Sequence, residues 1–312
     1  MRAMGWAARC AVCCACVTGA VQPTEAQDHR SRDGGGRERV DTTVTLERGG
    51  TLSVSIRNGR VNGVGGSGNR VRIQGNADRG ELQVRSRATS VSVGLDQLGH
   101  SGGNAELDIT VPIGTRVILN GFSAPFSVRG VKGEARVESL SGGITVTDAV
   151  GNVNVEAVSG NVAVSNVEGD VFAESVSGSV MLRNITGNID TETVSGNITM
   201  AVARSRLVRA ETVSGNISYD GTFDAAGNYT FSTHAGRLTL ALPPATGATV
   251  SLETFSGKVE SDFPVTLESR SARKGHEGRF EFRIGDGRAR IAAETFSGDI
   301  RIQRGSSRDN QD

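Results

Sequence analysis

The stretch Gly151-Asn-Val-Asn-Val-Glu-Ala-Val-Ser159 is followed directly by Gly160-Asn-Val-Ala-Val-Ser-Asn-Val-Glu168 and Gly169-Asp-Val-Phe-Ala-Glu-Ser-Val-Ser177. Glycine recurs at every ninth position from residue 133 to residue 196, and alternate units match more closely, so the full repeat has 18 residues. A repeat this short cannot bury an apolar face on its own. Successive copies must therefore stack on one another.

Within each unit the apolar residues lie two positions apart, as Val153 and Val155 do. This alternation is typical of a β-strand and not of a helix. A third apolar residue is expected to end each strand, and the glycine after it can adopt the positive φ that a sharp corner requires. These strand ends are Val158, Val167, Val176, Ile185 and Val194. The predicted corners are Gly142, Gly151, Gly160, Gly169, Gly178, Gly187, Gly196, Gly215, Gly257 and Gly298.

Two such strands form one coil of 18 residues, and neighbouring coils lie roughly 4.8 Å apart along the axis. The sequence therefore predicts an all-β protein, a parallel β-solenoid that is either a flattened two-sheet β-roll or a rounder β-helix. A narrow coil favours small branched core residues such as valine and isoleucine. Phe172 falls at an outward position. A shared corner position, expected to hold turn residues or a ladder of side-chain amides, is occupied by Asp148, Asn166 and Asn184.

Residues 1–26 have the composition of a secretory signal peptide. Arg2 and Arg9 precede the short apolar run Cys10–Val21, and Thr24 and Ala26 provide small side chains at positions −3 and −1 of a cleavage site. The apolar run is too short to span a bilayer. All four cysteines lie in this segment. We therefore expect a mature chain without a thiol or a transmembrane span, located in the periplasm or at the cell surface.

The rest of the chain divides by composition. Residues 27–39 are polar and glycine-rich and are expected to form a flexible linker. Residues 40–302 form the predicted solenoid, whose irregular start is expected to cap the stack. Residues 303–312 are a polar tail. Longer surface loops are expected at 219–229 and 269–278.

Several motifs occur together between residues 40 and 302. They are Gly50-Thr-Leu-Ser-Val-Ser-Ile-Arg-Asn-Gly59, Val111-Pro-Ile-Gly114, the serial Glu-x-Val-Ser-Gly units and the closing Glu294-Thr-Phe-Ser-Gly-Asp-Ile300. As a set they resemble the bacterial "putative adhesin" domain, a family of unknown function found in exported and envelope proteins. The resemblance implies a β-solenoid outside the cytoplasm. It offers no catalytic residue and no cofactor.

Seven glutamates occupy one repeat position before the Ser-Gly corners, so in a solenoid they would stack into one outward ladder. Unit charges one coil apart repel by roughly 0.9 kcal/mol in water. The ladder is tolerable if it is solvated, paired with arginine or lysine, or bridged by cations. It is either a candidate ligand- or cation-facing stripe or a solvated face that discourages sheet-edge association. The residues are Glu138, Glu156, Glu174, Glu192, Glu211, Glu253 and Glu294.

The other residue groups that could bind a metal or a nucleic acid, or act as nucleophiles, are better explained by structural roles. The four histidines are scattered, a His-Glu-x-x-His motif is absent, and the corners lack the carboxylates that calcium needs, so no metal site is predicted. The 34 basic residues balance 34 acidic ones without a basic stripe, which argues against nucleic-acid binding. The corner serines have no histidine at a recognisable spacing and are expected to hydrogen-bond backbone groups. They are Ser141, Ser159, Ser177, Ser195, Ser214, Ser256 and Ser297.

Two functions of different classes remain. The first is a non-enzymatic envelope or surface protein, an adhesin-like binding or scaffold module whose partner is a surface polymer or a protein. The alternative is a carbohydrate-active enzyme of the polysaccharide lyase or hydrolase type, which parallel β-helices often host. Such enzymes need a local acid/base pair and aromatic side chains that contact sugars. Here the carboxylates repeat in every coil and aromatic residues are 4% of the chain, which favours the first function.

Overall fold

The computed structural model describes residues 27–32, 37–96, 103–202, 204–244, 246–263 and 278–305. Every regular element in these ranges is a β-strand, and the 26 strands belong to one hydrogen-bonded sheet. The predicted signal peptide with its cysteines lies outside the described residues. So does the predicted loop 269–278, except for its last residue.

The strands fall into three groups along the chain. The opening group is β1 (Gln27–Arg32), β2 (Glu38–Thr45), β3 (Thr51–Gly66), β4 (Arg70–Ala77), β5 (Glu81–Arg87), β6 (Ser90–Asp96), β7 (Asn104–Pro112), β8 (Arg116–Ser123) and β9 (Phe126–Arg129). The regular group is β10 (Ala135–Ser139), β11 (Ile144–Val150), β12 (Val153–Ala157), β13 (Val162–Glu168), β14 (Val171–Ser175), β15 (Val180–Thr186), β16 (Ile189–Ser195), β17 (Ile198–Val202), β18 (Leu207–Ser214) and β19 (Ile217–Gly221). The closing group is β20 (Asn228–Ala235), β21 (Leu238–Leu242), β22 (Ala248–Ser256), β23 (Val259–Ser261), β24 (Gly278–Ile284), β25 (Ala289–Ser297) and β26 (Ile300–Arg304).

Strands that are two apart in the chain pair in parallel, which produces two stacks. One stack runs β8–β10–β12–β14–β16–β18–β20, and the other runs β9–β11–β13–β15–β17–β19–β21. The register steps by 18 residues, so Val137 pairs with Val155 and Val155 with Ala173. The side chains of these three residues are buried between the stacks. The predicted parallel β-solenoid is confirmed.

Besides the glycine corners, the chain changes direction inside β11, β13 and β15. Asn166 has a φ of 55°, in the left-handed region, and both Val164 and Val167 beside it point into the core. Asp148 and Asn184 have the same conformation one coil away on either side. The Asn166 amide nitrogen donates to Asp148 Oδ1 at 2.8 Å, and the Asn184 amide donates to Asn166 Oδ1 at 3.0 Å. The prediction of turn residues and an amide ladder is confirmed.

The corner glycines fall into two columns, of which only one has a positive φ, although a Cβ in either column would overlap the backbone of the coil before it. Gly169 has a φ of 151°, as the sequence predicted, and Gly151 and Gly187 are similar. The prediction of positive φ is wrong for the Ser-Gly corners. A Cβ on Gly178 would overlap the carbonyl of Gly160 in the coil before it, so close backbone approach excludes a side chain there. This second column comprises Gly142, Gly160, Gly178, Gly196, Gly215, Gly257 and Gly298.

Buried hydroxyls tie these corners together, but they are not the predicted ones. Thr193 and Thr212 donate to the carbonyls of Gly178 and Gly196, both at 3.2 Å. The predicted serine column, two positions later, is exposed. The column whose hydroxyls make these bonds consists of Ser139, Ser175, Thr193, Thr212, Thr233, Thr254 and Thr295.

A comparison of Thr191 with Thr193 tests whether the hydrogen bonds of these buried hydroxyls stabilise the fold. Its Oγ1 is buried and has no hydrogen-bond partner among the described residues, whereas Thr193 on the same strand is bonded. We expect Thr191→Val to stabilise the protein by about 1 kcal/mol, because valine removes an unsatisfied polar group without a change of volume. Thr193→Val should destabilise it by about 1 kcal/mol. Urea unfolding midpoints measure both, and equal shifts of the same sign would contradict the assignment.

The prediction of a surface loop at 219–229 is wrong for the residues at both of its ends. Tyr219 and Tyr229 are completely buried, and they pack against Phe231 and the partly buried Phe223. Burial raises the pKa of both tyrosine hydroxyls above the usual range. The coil therefore holds large aromatic side chains here, unlike the narrow coil that the repeat predicted.

The Tyr229 hydroxyl joins the segment before β18 to the segment before β20, in two successive coils. It donates to the carbonyl of Ser205 at 2.6 Å and accepts from the backbone N–H of Asp224 at 2.6 Å. The Tyr219 hydroxyl donates to the carbonyl of Thr222 at 3.0 Å. These bonds satisfy the polar ends of the buried rings.

Antiparallel strands close the start of the solenoid. Residues 27–32 form β1, which pairs with β2, and β2 pairs in turn with β4. The predicted flexible linker 27–39 is therefore wrong for this part. Glu38, inside the same range, is buried and accepts from the backbone N–H of Leu82 at 2.9 Å. At the other end the last strand reaches Arg304, two residues into the predicted tail.

The last coil of the chain is not the last coil of the stack. Strands β25 and β26 lie between the coil β20–β21 and the coil β22–β23, with parallel pairing on both sides. Strand β24 pairs antiparallel with the outer side of β22. The chain thus passes over one position in the stack and fills it afterwards.

Candidate binding furrow

The glutamates stack on the outward face of the first stack of strands, in register. Glu156 pairs with Glu138 on one side and Glu174 on the other, and the column continues through Glu192 to Glu211. Ser232 interrupts it, and Glu294 precedes Glu253 because β25 is inserted. We call this column the Glu ladder; in spatial order it runs Glu138, Glu156, Glu174, Glu192, Glu211, Ser232, Glu294, Glu253.

Arginines neutralise part of the Glu ladder. Arg136 contacts Glu138 at 2.6 Å and Glu156 at 3.1 Å, and these carboxylates raise its pKa. Arg209 contacts Glu211 at 2.7 Å. The other four glutamates, Glu174, Glu192, Glu294 and Glu253, have no ion pair with a described side chain.

A column of exposed apolar side chains lies beside the Glu ladder, two residues further along each strand. Val158, Val176 and Val194, three of the predicted strand ends, are 43%, 41% and 45% exposed and so lie outside the core. Val167 and Ile185, from the other half of the coil, are buried. We call the exposed column the apolar ridge; in spatial order it runs Phe122, Leu140, Val158, Val176, Val194, Val213, His234, Phe296, Phe255.

The end of the apolar ridge is aromatic. The rings of His234 and Phe296 are parallel within 6° with centroids 4.8 Å apart, and those of Phe296 and Phe255 are parallel within 5° at 4.7 Å. Both phenylalanines are nearly half exposed. Large apolar side chains aligned in this way on the solvent-exposed surface of a protein commonly mark an interaction site.

The two columns enclose a furrow. Its lining includes Ala157 and Thr212, which lie between the two columns, and it widens into open cavities of about 320 Å³ at Glu156 and about 610 Å³ at Glu294. With rungs roughly 4.8 Å apart, the Glu ladder extends for about 34 Å. The arrangement can bind a long, narrow partner that carries positive charge on one edge and apolar surface on the other.

The other features considered in the sequence, namely metal-binding groups, a membrane span and Phe172, add no further group to the furrow. Among the described residues no group of three or more His, Cys, Asp or Glu is arranged to hold a metal ion. No described helix is long and apolar enough to cross a membrane. Phe172 is 38% exposed, as predicted, but it lies nearer the start of its strand than Glu174 does.

Residues 31–303 match the family model of the Toastrack domain, DUF4097. The chain belongs to the Toastrack family. No curated protein matches the Toastrack chain. The assignment agrees with the family of unknown function that the sequence motifs resemble.

Three solved structures are similar to the Toastrack chain over most of its length. They are a "putative cell adhesion protein" from Clostridium sporogenes (12% identity, 90% of this chain and 100% of that chain, TM-score 0.20), a "putative adhesin" from Parabacteroides distasonis (10%, 86% and 98%, TM-score 0.45) and a "putative adhesin" from Bacteroides fragilis (10%, 85% and 96%, TM-score 0.39).

Proposed function

We propose that this Toastrack chain is an exported, adhesin-like binding module that holds an extended surface polymer in the furrow between the Glu ladder and the apolar ridge. The observation that carries the proposal is the alignment of unpaired carboxylates with exposed apolar side chains over consecutive coils. Neither column is needed for the core, because both point away from it. A rigid solenoid presents them at a fixed spacing, which favours a partner that is itself linear and repetitive.

Binding of envelope polymers tests this function. The chain from residue 27 onward would be incubated with insoluble envelope and plant polysaccharides, with and without calcium, and co-sedimentation would be measured. We expect Glu174→Gln with Glu192→Gln to reduce binding about tenfold, because charge-assisted contacts are lost. The control is Glu168→Gln with Glu260→Gln, two exposed glutamates outside the furrow. Equal binding by the two double variants would contradict the proposal.

The same samples test the enzymatic alternative. Release of new sugar ends would contradict a purely binding role. The search for catalytic groups would then begin at Ser232 and His234, where the Glu ladder and the apolar ridge both depart from the repeat.

A further inference from the structure

A second cavity lies on the same outward face as the furrow, on the other side of the Glu ladder. It has a volume of about 610 Å³, a usual size for a ligand site. Phe172 and Asp190 line it, and they lie two residues before Glu174 and Glu192 on β14 and β16. The furrow and the second cavity therefore flank the same glutamates, and one partner can contact both.

Large apolar side chains replace polar ones at two corners of this cavity. Asp170 Oδ1 accepts from the backbone N–H of Asn188 at 2.8 Å, in a polar column that includes Asn152. Leu207 takes the position after Asn188 in this column and is 48% exposed. Phe172, 38% exposed, interrupts the neighbouring column, which is otherwise polar from β10 to β20. The repeat requires neither apolar side chain, and the two lie diagonally across the cavity, on β14 and β18.

The charged groups that line the cavity already have partners. Asp190 contacts Arg209 at 3.2 Å, and Glu134 pairs with Arg116 outside the cavity. The carboxylate of Asp170 accepts the backbone hydrogen bond described above. Since none of these groups requires a counter-ion from a ligand, the lining favours a neutral ligand.

Two side-chain amides of the cavity lack partners. Asn154 Oδ1 is shielded from solvent and has no hydrogen-bond partner among the described residues. The side chain of Asn188 also forms no hydrogen bond with a described residue. A shielded polar atom without a partner costs free energy, which a donor on a ligand can recover. The cavity therefore favours a ligand with several hydrogen-bonding groups.

The floor of the cavity does not suit the common modes of peptide recognition. Strands β14, β16 and β18 are each paired on both sides, so an extended peptide finds no open strand edge there. A peptide helix needs an apolar groove, and a polyproline segment needs an aromatic-lined one. Among the described residues of the lining Phe172 is the only aromatic one, and Asn188 and Asp190 separate it from Leu207. A ring with apolar faces and a hydroxylated edge matches this lining.

We propose that the second cavity binds a neutral pyranose ring, so that the polymer of the proposed function, on which this inference rests, is a glycan. The apolar C–H surface of the ring packs on Phe172, and its edge contacts Leu207. Hydroxyls of the ring donate to Asn188 Oδ1 and to the Asp190 carboxylate. A turn of the Phe172 ring onto the sugar opens Asn154 Oδ1, one rung away, to a further hydroxyl. Neighbouring rings of the same glycan reach the furrow across the Glu ladder.

Binding of the chain from residue 27 onward to immobilised probes tests this assignment. The probes are neutral hexasaccharides of glucose, mannose and N-acetylglucosamine, an amine-bearing glucosamine hexamer, an anionic galacturonate hexamer and a library of decapeptides. We expect at least one neutral hexasaccharide to bind. Phe172→Asn with Leu207→Asn, which restore polar residues of the repeat, should weaken this binding at least about tenfold without lowering the urea unfolding midpoint.

Met181→Thr is the matched control, because Met181 is 40% exposed on the other stack of strands and pairs with Thr199. This variant should bind as the unchanged chain does. Equal loss of binding in the control and in the Phe172/Leu207 double variant would contradict the assignment.

Each other outcome overturns the assignment in a distinct way. Binding that is lost with Glu174→Gln and Glu192→Gln but kept in the Phe172/Leu207 double variant would restrict the sugar to the furrow and leave the proposed function intact. A decapeptide that needs Phe172 and Leu207 would replace the sugar with a peptide. No binding of a neutral hexasaccharide, while an envelope polymer still co-sediments, would reject only the neutral sugar; loss of both would reject the proposed function too.

Discussion

Gly142→Ala is expected to destabilise the solenoid by about 3 kcal/mol, the upper end of the usual cost of overpacking, because the added atom meets backbone that cannot move aside. A Cβ at this position would overlap the backbone carbonyl of Ala124 in the preceding coil. The coils cannot separate locally, because hydrogen bonds on both sides of the corner fix their spacing. Urea unfolding of the variant measures the loss.

The adjacent Gly143 is the matched control. Its added Cβ would lie 3.5 Å from the carbonyl of Asn161, an ordinary contact, and its φ is not in the left-handed region. Gly143→Ala should therefore change stability by less than about 1 kcal/mol. If both variants were equally destabilised, corner flexibility and not close approach of the coils would explain the glycines.

Ala293→Asp is expected to cost about 3–5 kcal/mol, because it places an unpaired carboxylate in the core. Ala293 is fully buried in β25, between Phe231 of β20 and Leu252 of β22. The neighbouring Ala292→Asp is the control, since Ala292 points outward from the same strand and is partly exposed. Thermal unfolding of the two variants gives the difference.

The position of β25 can also be tested by cross-linking. Residues 27–312 contain no cysteine, so introduced thiols are unambiguous. Ser232→Cys with Glu294→Cys should form a disulfide, because these residues are register partners on adjacent strands. Ser232→Cys with Glu253→Cys should not, since β25 separates them. Efficient cross-linking of the second pair would restore the coil order that follows the sequence.

The regular half of the fold was predictable because its period is strict. Any sequence that places glycine every ninth residue and valine two positions apart can bury its apolar side chains only by stacking. The out-of-order insertion of β25 was not predictable. Glu253 and Glu294 occupy identical local motifs, so which of them lies next to Ser232 depends on how β24 returns over β22.

The aromatic core was missed for a different reason. The interval between Tyr219 and Tyr229 breaks the repeat and contains glycine, aspartate and asparagine, which are common in surface loops. Burial of the two rings depends on hydrogen-bond partners such as the carbonyl of Ser205, which is distant in sequence. Local composition contains no signal of such a partner.

The Glu ladder was predictable from the repeat, whereas the apolar ridge was missed although a signal existed. Val153 and Val155 point inward, so the same alternation places Glu156 and Val158 outward together. This valine lies an even number of positions from the glutamate, and this spacing indicates that the valine is exposed. The pairing of Glu138 and Glu156 with Arg136 required the side-chain geometry.

The central claim is that the furrow is the surface that contacts the partner. Carbodiimide labelling of carboxylates, read by mass spectrometry with and without a co-sedimenting polymer, tests it most directly. We expect the polymer to protect Glu174, Glu192, Glu294 and Glu253, while Glu168 and Glu260 are labelled to the same extent with and without it. Protection of Glu168 and Glu260 with unchanged labelling along the Glu ladder would contradict it.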